Sequence, residues 1–377
     1  MTTNTSFDIT RPLPQGTVLL AASAGTGKTW TISAVCAKAI ATGLVHMKNL
    51  LLVTFNRSAA RELRGRVYER LVNTRLLLAG AREPSDPCDW SLIRCGRAGF
   101  TRVESALDNF DRAVITTTHE FASRMLVELG VLSDHDPSSV LMTDLAPLAT
   151  EVSDDHYLAQ YLDYDRPPSV REKRELSRDV AVKYGEVPIF SKEDADTPVQ
   201  DVLWSLSVRE DVRRRSKSRS VHTFDDLIGD LVKALRDPYR GPLACATLAH
   251  RFGLVMVDEF QDTDPLQWEI LRRAFHGHSN LWLIGDPKQS IYAFRGADIH
   301  AYQDAAQSAS HVLHLDVNYR TDKPIVEAVN TLFSNAQLGH GISMELVTAH
   351  HQESRIKTAT TDGPRYHWSQ PFQIRCL

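Results

Sequence analysis

The 377-residue sequence contains few cysteines, and they do not form a disulfide or metal-binding pattern. The five cysteines are an odd number, are scattered and include no CxxC pair. A disulfide framework and a cysteine-bound zinc or iron–sulfur site are therefore not expected. This cysteine usage is typical of a reducing compartment, and we expect a soluble, cytoplasmic protein. The five are Cys36, Cys88, Cys95, Cys245 and Cys376.

The sequence also lacks long apolar runs and an excess of positive charge. No apolar run approaches the roughly 20 residues that a membrane helix requires. Residues 1–14 are too polar for a signal peptide, so we expect no contact with a membrane. Lysine and arginine number 43 against 47 aspartate and glutamate, which gives a formal net charge of −4. This balance argues against a dedicated non-specific nucleic-acid binder, although it does not exclude a local basic groove.

Five short apolar runs rich in β-branched residues occur at residues 17–21, 50–55, 113–117, 253–257 and 281–284. Near-continuous apolar runs are typical of strands that are buried on both faces of a parallel sheet. Helical periodicity separates several of them. Strands that alternate with helices predict an α/β domain with a doubly wound parallel sheet, whose ligands bind at the carboxyl ends of the strands. One helical face comprises Ala60, Leu63, Val67 and Leu71.

Residues 130–220 interrupt this pattern. They contain few strand-like runs, several turn signals and mixed charge, and we expect a mostly helical insertion. The α/β domain would then comprise residues 1–129 and 221–312, and a further domain would begin at residue 313. The length of 377 residues is sufficient for two or three domains of about 150 residues each.

A glycine-rich segment follows the first apolar run and leads into a helical pattern. It has the strand–loop–helix context of a phosphate-binding loop. Gly25 and Gly27 allow backbone N–H groups to face phosphate oxygens, Lys28 would contact the β- and γ-phosphates, and Thr29 would bind Mg²⁺. The strict pattern has glycine in place of Ala22, and an ordinary glycine turn is the alternative interpretation. The segment reads Ala22, Ser23, Ala24, Gly25, Thr26, Gly27, Lys28 and Thr29.

Two acidic residues follow the apolar run at residues 253–257. Asp258 would lie beside the metal ion, and Glu259 would orient and deprotonate an attacking water. An acidic strand end is often only a solvated loop. Together with the phosphate loop, it indicates an enzyme that hydrolyses ATP with Mg²⁺ rather than a nucleotide carrier. A nucleotide kinase or GTPase is a further alternative, but it leaves the sequence QSIYAFRGAD of residues 289–298 unexplained.

Five blocks occur in the order of the motifs of superfamily 1 DNA helicases and resemble them. Residues 257–262 (VDEFQD) are similar to the DExx box, and residues 283–298 (LIGDPKQSIYAFRGAD) are similar to the next motif. Three more resemblances occur at residues 53–63 (VTFNRSAAREL), 117–121 (TTHEF) and 318–320 (NYR). We identify the sequence as resembling the UvrD/RecB-like branch of this superfamily, with RecA-like P-loop NTPase domains.

Three segments resemble the RecB type, which includes the beta subunit of exodeoxyribonuclease V, more than the UvrD type. They are GDPKQSIYAFRGAD, ASAGTGKT and residues 222–227 (HTFDDL). The resemblance implies a 3′-to-5′ DNA helicase or translocase in double-strand break repair and recombination. It also implies two kinds of partner: DNA, as single strands and duplex ends, and RecC- and RecD-like protein subunits.

The resemblance also implies roles for single residues. Gln289 would sense the γ-phosphate, and Arg320 would neutralise charge in the transition state as an arginine finger. Other residues would contact DNA, and the aromatic ones would stack on bases. For Phe55, core packing is an equally good interpretation. The predicted DNA contacts are Phe55, His119, Tyr292, Phe294 and Arg295.

Two basic stretches, at residues 57–75 and 209–219, are compatible with contacts to the DNA backbone, although a solvated helix face is the simpler interpretation. No further helicase motif and no nuclease motif follow Arg320 in this sequence. We therefore expect the N-terminal portion of a longer enzyme, with a truncated second RecA-like domain at residues 313–377. Two functional interpretations stay open: a helicase subunit, and a remnant that binds ATP and DNA without unwinding DNA on its own.

Overall fold

The computed structural model describes residues 5–136, 138–142, 144–181, 199–290, 298–334, 336, 346–353 and 355. Three of the predicted DNA contacts, Tyr292, Phe294 and Arg295, lie outside the described residues. Cys376 lies outside them as well.

Strands and helices alternate along much of the described chain. The strands are β1 Thr5–Ser6, β2 Thr17–Ala22, β3 Leu50–Thr54, β4 Val114–Thr117, β5 Val140–Leu141, β6 Val221–His222, β7 Leu254–Val257, β8 Asn280–Gly285, β9 His311–Leu315, β10 Val317–Asn318 and β11 Thr348–Ala349. The helices are α1 Lys28–Thr42, α2 Arg57–Leu78, α3 Pro87–Leu92, α4 Gly96–Asp108, α5 Thr118–Leu129, α6 Ala146–Tyr161, α7 Val170–Ala181, α8 Val199–Ser218, α9 Phe224–Arg236, α10 Gly241–Arg251, α11 Pro265–Phe275, α12 Ile299–Ser308 and α13 Lys323–Phe333.

A seven-stranded sheet has the order β1-β9-β2-β8-β7-β3-β4. All of its neighbouring strands pair in parallel. The five apolar runs predicted to be strands correspond to β2, β3, β4, β7 and β8, so the predicted α/β fold with a parallel sheet is confirmed. These strands are buried along most of their length, which explains their near-continuous apolar sequence.

Strand β9 contains residue 313, at which we expected a further domain to begin. It pairs with β2 from Val18–His311 to Ala22–Leu315, so residues 313–315 belong to the main sheet. Beyond β9 the sheet has only the two-residue strand β1, and most of the side chains of β9 are half-buried. A strand near the edge of a sheet needs less apolar sequence than a central one, which is why its pattern did not indicate a core strand.

The core of the sheet lies against α1 and α2. Residues 31–41 of α1 are all buried. The predicted apolar face of α2 is confirmed, since Ala60, Leu63, Val67 and Leu71 are buried. Trp282 on β8 is 1% exposed and contacts Phe7 edge-on, with ring centroids 5.5 Å apart. Trp282 thus packs in the interior of the sheet, where it pairs with Val18 and Met256 of the two neighbouring strands.

The chain divides into two compact units. The first comprises Met1–Thr118 and Cys245–Leu377 and contains the seven-stranded sheet. The second comprises His119–Ala244, so it begins earlier and ends later than the helical insertion expected at residues 130–220. Its helices α6 and α8 bury a separate apolar cluster that includes Val152, Trp204 and Val208. Among the described residues, none of the helices has the length and apolarity that crossing a membrane demands.

We expect Trp282→Ala to lower the free energy of unfolding by about 3–5 kcal/mol, because it leaves a cavity in the packed core. Urea unfolding followed by circular dichroism measures this change. Trp90→Ala is the matched control, since Trp90 is 63% exposed, and it should change stability by about 0.5 kcal/mol or less. Equal losses in the two variants would contradict the placement of Trp282 in the core.

Candidate nucleotide-binding site

The carboxyl ends of the parallel strands meet at one edge of the sheet. Strand β2 leads into the glycine-rich segment, β7 ends before Asp258, and β8 ends before Asp286. Because β8 lies between β2 and β7, the segment that carries Gln289 emerges between the glycine-rich segment and the acidic pair. The sheet therefore gathers three predicted motifs that are far apart in sequence.

The glycine-rich segment forms a tight turn between β2 and α1. Gly25 and Gly27 have φ angles of +82° and +90°, a region that favours glycine. The backbone N–H and the hydroxyl of Thr26 donate to the carbonyl oxygen of Ser23 at 3.2 and 2.8 Å. Within the described residues, no side chain caps the start of α1, so its first N–H groups suit an anion such as phosphate.

Ala22 is the position at which the sequence departs from the strict phosphate-loop pattern. It is the last residue of β2, is 1% exposed and pairs with Leu315 of β9. A strand backbone accommodates a Cβ atom, so this position does not require glycine. The departure therefore does not change the shape of the loop.

Lys28 connects the loop to the acidic pair. Its Nζ atom lies 2.6 Å from Oε2 of Glu259. Glu259 has a φ of +54°, which costs a residue other than glycine about 1–3 kcal/mol. The ion pair with Lys28 and a 2.8 Å hydrogen bond from Nε2 of Gln261 hold its carboxylate in place. Such strain is typical of functional sites.

Two carboxyl groups near Glu259, those of Asp258 and Asp262, have raised pKa values. Burial and the charge of Glu259 raise the pKa of Asp258 to about 6, although Lys28 opposes the shift. The same causes raise the pKa of Asp262 to about 6. Among the described residues, Oδ1 of Asp262 is buried without a hydrogen-bond partner. Lys28 offsets the charge of these buried carboxylates only in part, and such oxygen donors fit Mg²⁺, so the site is suited to this ion.

Gln261 and Asp286 are functional candidates that our sequence reasoning missed. Gln261 is 3% exposed, and its Oε1 accepts a 3.0 Å hydrogen bond from the backbone N–H of Asp286. Asp286 in turn accepts a 2.7 Å hydrogen bond from Nε2 of Gln289. A chain of contacts thus connects Glu259 to Gln289. Both residues lie in blocks that resemble helicase motifs, and that position was the signal that could have identified them.

A cleft of about 600 Å³ lies at this edge of the sheet. It brings together five of the predicted site residues, including Phe55, whose side chain is half-buried. The position of Phe55 fits a contact with a ligand in the cleft, and its predicted contact with DNA stays a prediction. The predicted residues that line the cleft are Thr29, Phe55, Asp258, Glu259 and Gln289.

The segment that carries Arg320 lies directly against the phosphate loop. The backbone N–H of Tyr319 donates to the carbonyl oxygen of Gly25 at 2.8 Å, and Nδ2 of Asn318 donates to that of Ala24 at 3.1 Å. A Cβ atom on Gly25 would lie 2.8 Å from the Cβ of Arg320, so this approach requires glycine. Asn318, which our sequence reasoning left without a role, is therefore the residue that connects the two segments.

His119 and the second basic stretch lie in the His119–Ala244 unit. The ring of His119 meets Phe224 edge-on at 5.9 Å. In the basic stretch, Arg215 and Arg219 both pair with Glu151, which agrees with a solvated and ion-paired helix face. Contacts of these residues with DNA stay predictions.

Comparisons with known proteins identify the family of this chain. The UvrD/REP helicase N-terminal domain family matches residues 3–310. The RecBCD enzyme subunit RecB of Mycobacterium tuberculosis is 38% identical over 371 residues, which cover 95% of this chain and 34% of that protein. The RecB subunit of Mycolicibacterium smegmatis is 37% identical over 390 residues, which cover 98% of this chain and 34% of that protein. The RecB subunit of Escherichia coli is 46% identical over 129 residues, which cover 34% of this chain and 11% of that protein.

The chain thus spans about a third of the length of the two mycobacterial relatives. The family match covers the three strands that lead into the nucleotide site, β2, β7 and β8, and the segment that carries Gln289. The chain therefore belongs to the UvrD/RecB-like helicases of superfamily 1.

Proposed function

We propose that the chain binds and hydrolyses ATP with Mg²⁺ and drives movement along DNA as the motor of a RecB-like helicase. The observation that carries this proposal is the cleft in which Thr29, Asp258, Glu259 and Gln289 converge beside Lys28. A nucleotide carrier would not need a carboxylate held under strain next to the phosphate loop. A kinase or GTPase would not need the helicase-like blocks that follow.

The phosphates of ATP would bind the backbone N–H groups of the loop and the ammonium group of Lys28. Thr29 and Asp258 would hold Mg²⁺, which neutralises phosphate charge when it is bound. Lys28 pairs with Glu259 in this structure, so phosphate and Glu259 compete for the same cation. Binding of ATP would therefore release the Glu259 carboxylate to accept a proton from the attacking water. Gln289 and Arg320 would contact the transferred phosphoryl group.

The wider role in this proposal is unwinding with 3′-to-5′ polarity during repair of double-strand breaks and recombination. The relatives that support it are named as RecB subunits of the RecBCD enzyme. We infer duplex ends and single strands as the DNA substrates, with RecC- and RecD-like subunits as protein partners. Phe55, His119, Tyr292, Phe294 and Arg295 are the proposed DNA contacts.

The alternative is that this polypeptide binds ATP and DNA but does not unwind DNA alone. Strand displacement by the purified chain on duplexes with a 3′ or a 5′ tail separates the two. ATP-dependent displacement of the 3′-tailed duplex supports an autonomous helicase. Binding of ATP without displacement supports the alternative, and displacement of only the 5′-tailed duplex contradicts the proposed polarity.

Lys28→Ala should weaken binding of a fluorescent ATP analogue with Mg²⁺ by ~10–150-fold, because a hydrogen bond to a charged group contributes about 1.5–3 kcal/mol. Fluorescence titration measures the dissociation constant. Lys48→Ala is the matched control, since Lys48 is an exposed lysine of the same unit, and it should bind as tightly as the unchanged protein. Undiminished affinity in Lys28→Ala would refute the assignment of the loop.

Glu259→Gln should keep ATP binding and lower hydrolysis stimulated by single-stranded DNA ~10²–10⁴-fold, the usual contribution of a general base. Phosphate release measures the rate, and the fluorescence titration measures binding. Glu62→Gln is the matched control, since Glu62 also lines the cleft but is exposed to solvent. This variant should hydrolyse ATP at nearly the rate of the unchanged protein. A Glu259→Gln variant that hydrolyses ATP normally would exclude Glu259 as the base.

A further inference from the structure

A second cluster of ligand-bearing side chains lies in the His119–Ala244 unit. His135, His222 and Asp230 each offer one ligand atom, and these atoms lie within 4.8 Å of one another. His135 lies in the loop before β5, His222 ends β6, and Asp230 lies in α9. Two imidazoles and a carboxylate from three separate elements thus meet at one place. None of them belongs to the nucleotide site.

The hydrogen bonding of the two histidines is incomplete. Among the described residues, Nδ1 of His135 and Nδ1 of His222 are both buried and have no hydrogen-bond partner. Leaving a buried polar nitrogen unpaired is unfavourable, so such atoms are rare in folded proteins. The two rings also meet edge-on, with centroids 5.2 Å apart. An ion that binds His222 through Nε2, the ring nitrogen that faces Asp230, would leave Nδ1 of His222 unpaired. The unpaired nitrogen that such an ion could satisfy is therefore Nδ1 of His135.

The spacing of one pair of ligand atoms already suits a metal ion. Nε2 of His222 lies 3.3 Å from Oδ2 of Asp230. Four ligands at roughly 2.0–2.1 Å from a tetrahedral Zn²⁺ are about 3.3 Å apart. His135 is within reach of this pair, since the cluster spans no more than 4.8 Å. Only His135 has to move closer for the three to share one ion.

The local fold holds these groups in position. Thr223, next to His222, caps α9, and Asp226 completes a reciprocal capping box. Asp230 follows Asp226 by one helical turn and lies on the same face of α9. The neighbouring carboxylate of Asp136 accepts hydrogen bonds from Ser138 and Ser220. The capping box and these bonds occupy Asp226 and Asp136. Lys233 donates from Nζ to Oδ1 of Asp230 at 3.2 Å, so Oδ2 of Asp230 and the two histidines are the available donors.

A cleft of about 540 Å³, lined by His222 and Asp230, provides a path of entry and room for a water molecule as fourth ligand. Imidazole ligands favour Zn²⁺ and similar transition metals over Mg²⁺, which prefers oxygen donors. We propose that His135, His222 and Asp230 bind one Zn²⁺ ion, which connects the loop before β5 to β6 and α9. This site also gives a role to His222 of the HTFDDL block, which the nucleotide site does not use.

The test uses the whole chain, treated with a chelator and kept free of nucleotide. Titration with Co²⁺, followed by its visible absorption, should show one ion per chain, which Zn²⁺ then displaces. His135→Ala and Asp230→Asn should each weaken binding at least ~100-fold, since loss even of a residue that only supports a metal ligand costs ~10–100-fold. His156→Ala is the matched control, a histidine of the same unit that pairs with Asp211, and it should bind Co²⁺ normally.

Two further measurements separate this site from adventitious metal binding and from misfolding of a variant. The adjacent His350 and His351 could bind metal adventitiously, so the double variant His350→Ala/His351→Ala should keep the stoichiometric site. If Asp230→Asn does not fold, His135→Gln replaces it, and Zn²⁺ should raise the Tm of the unchanged protein but not that of His135→Gln. The proposal is wrong if the unchanged protein binds no stoichiometric Co²⁺. It is equally wrong if His135→Gln binds Co²⁺ normally, or if the double variant loses the site.

Discussion

The parallel register of β2, β8 and β7 is the constraint on which the nucleotide site depends. All three strands end at the same edge, with β8 in the middle. The phosphate loop, the Gln289 segment and the acidic pair therefore share one cleft, although they are far apart in sequence. The buried strands and α1 resist displacement because their apolar faces are packed without contact to water. The geometry of the site is thus a property of the core.

Charge explains how this site would respond to its substrate. Lys28 neutralises part of an acidic cluster, and Glu259 is held beside it in a strained backbone conformation. A triphosphate brings negative charge to the loop and competes with Glu259 for Lys28. The contacts from Glu259 through Gln261 and Asp286 to Gln289 offer a physical route by which a change at the phosphates would reach the end of β8.

The His119–Ala244 unit has its own core and its own electrostatics. Arg215 and Arg219 of its basic stretch pair with Glu151 and Asp155 on α6, so the charge of this stretch is compensated in part. A second group of polar contacts in this unit lies at α9. The capping box of this helix lies beside the cluster of His135, His222 and Asp230. A metal ion there would add a further connection between segments that the two-residue β5–β6 pairing and the Ser220–Asp136 hydrogen bond also join.

The sequence by itself determined the features that depend on neighbouring residues. Apolar runs predicted the central strands, periodicity predicted the buried face of α2, and the order of the motifs predicted the family. Only the tertiary structure decided the features that depend on distant residues. The pairing of β9 with β2, the contact of Asn318 with the phosphate loop, and the meeting of His135 with His222 have no local signal. Each of them arises because the packing of strands and helices brings together segments whose separation along the chain carries no information about their distance in space.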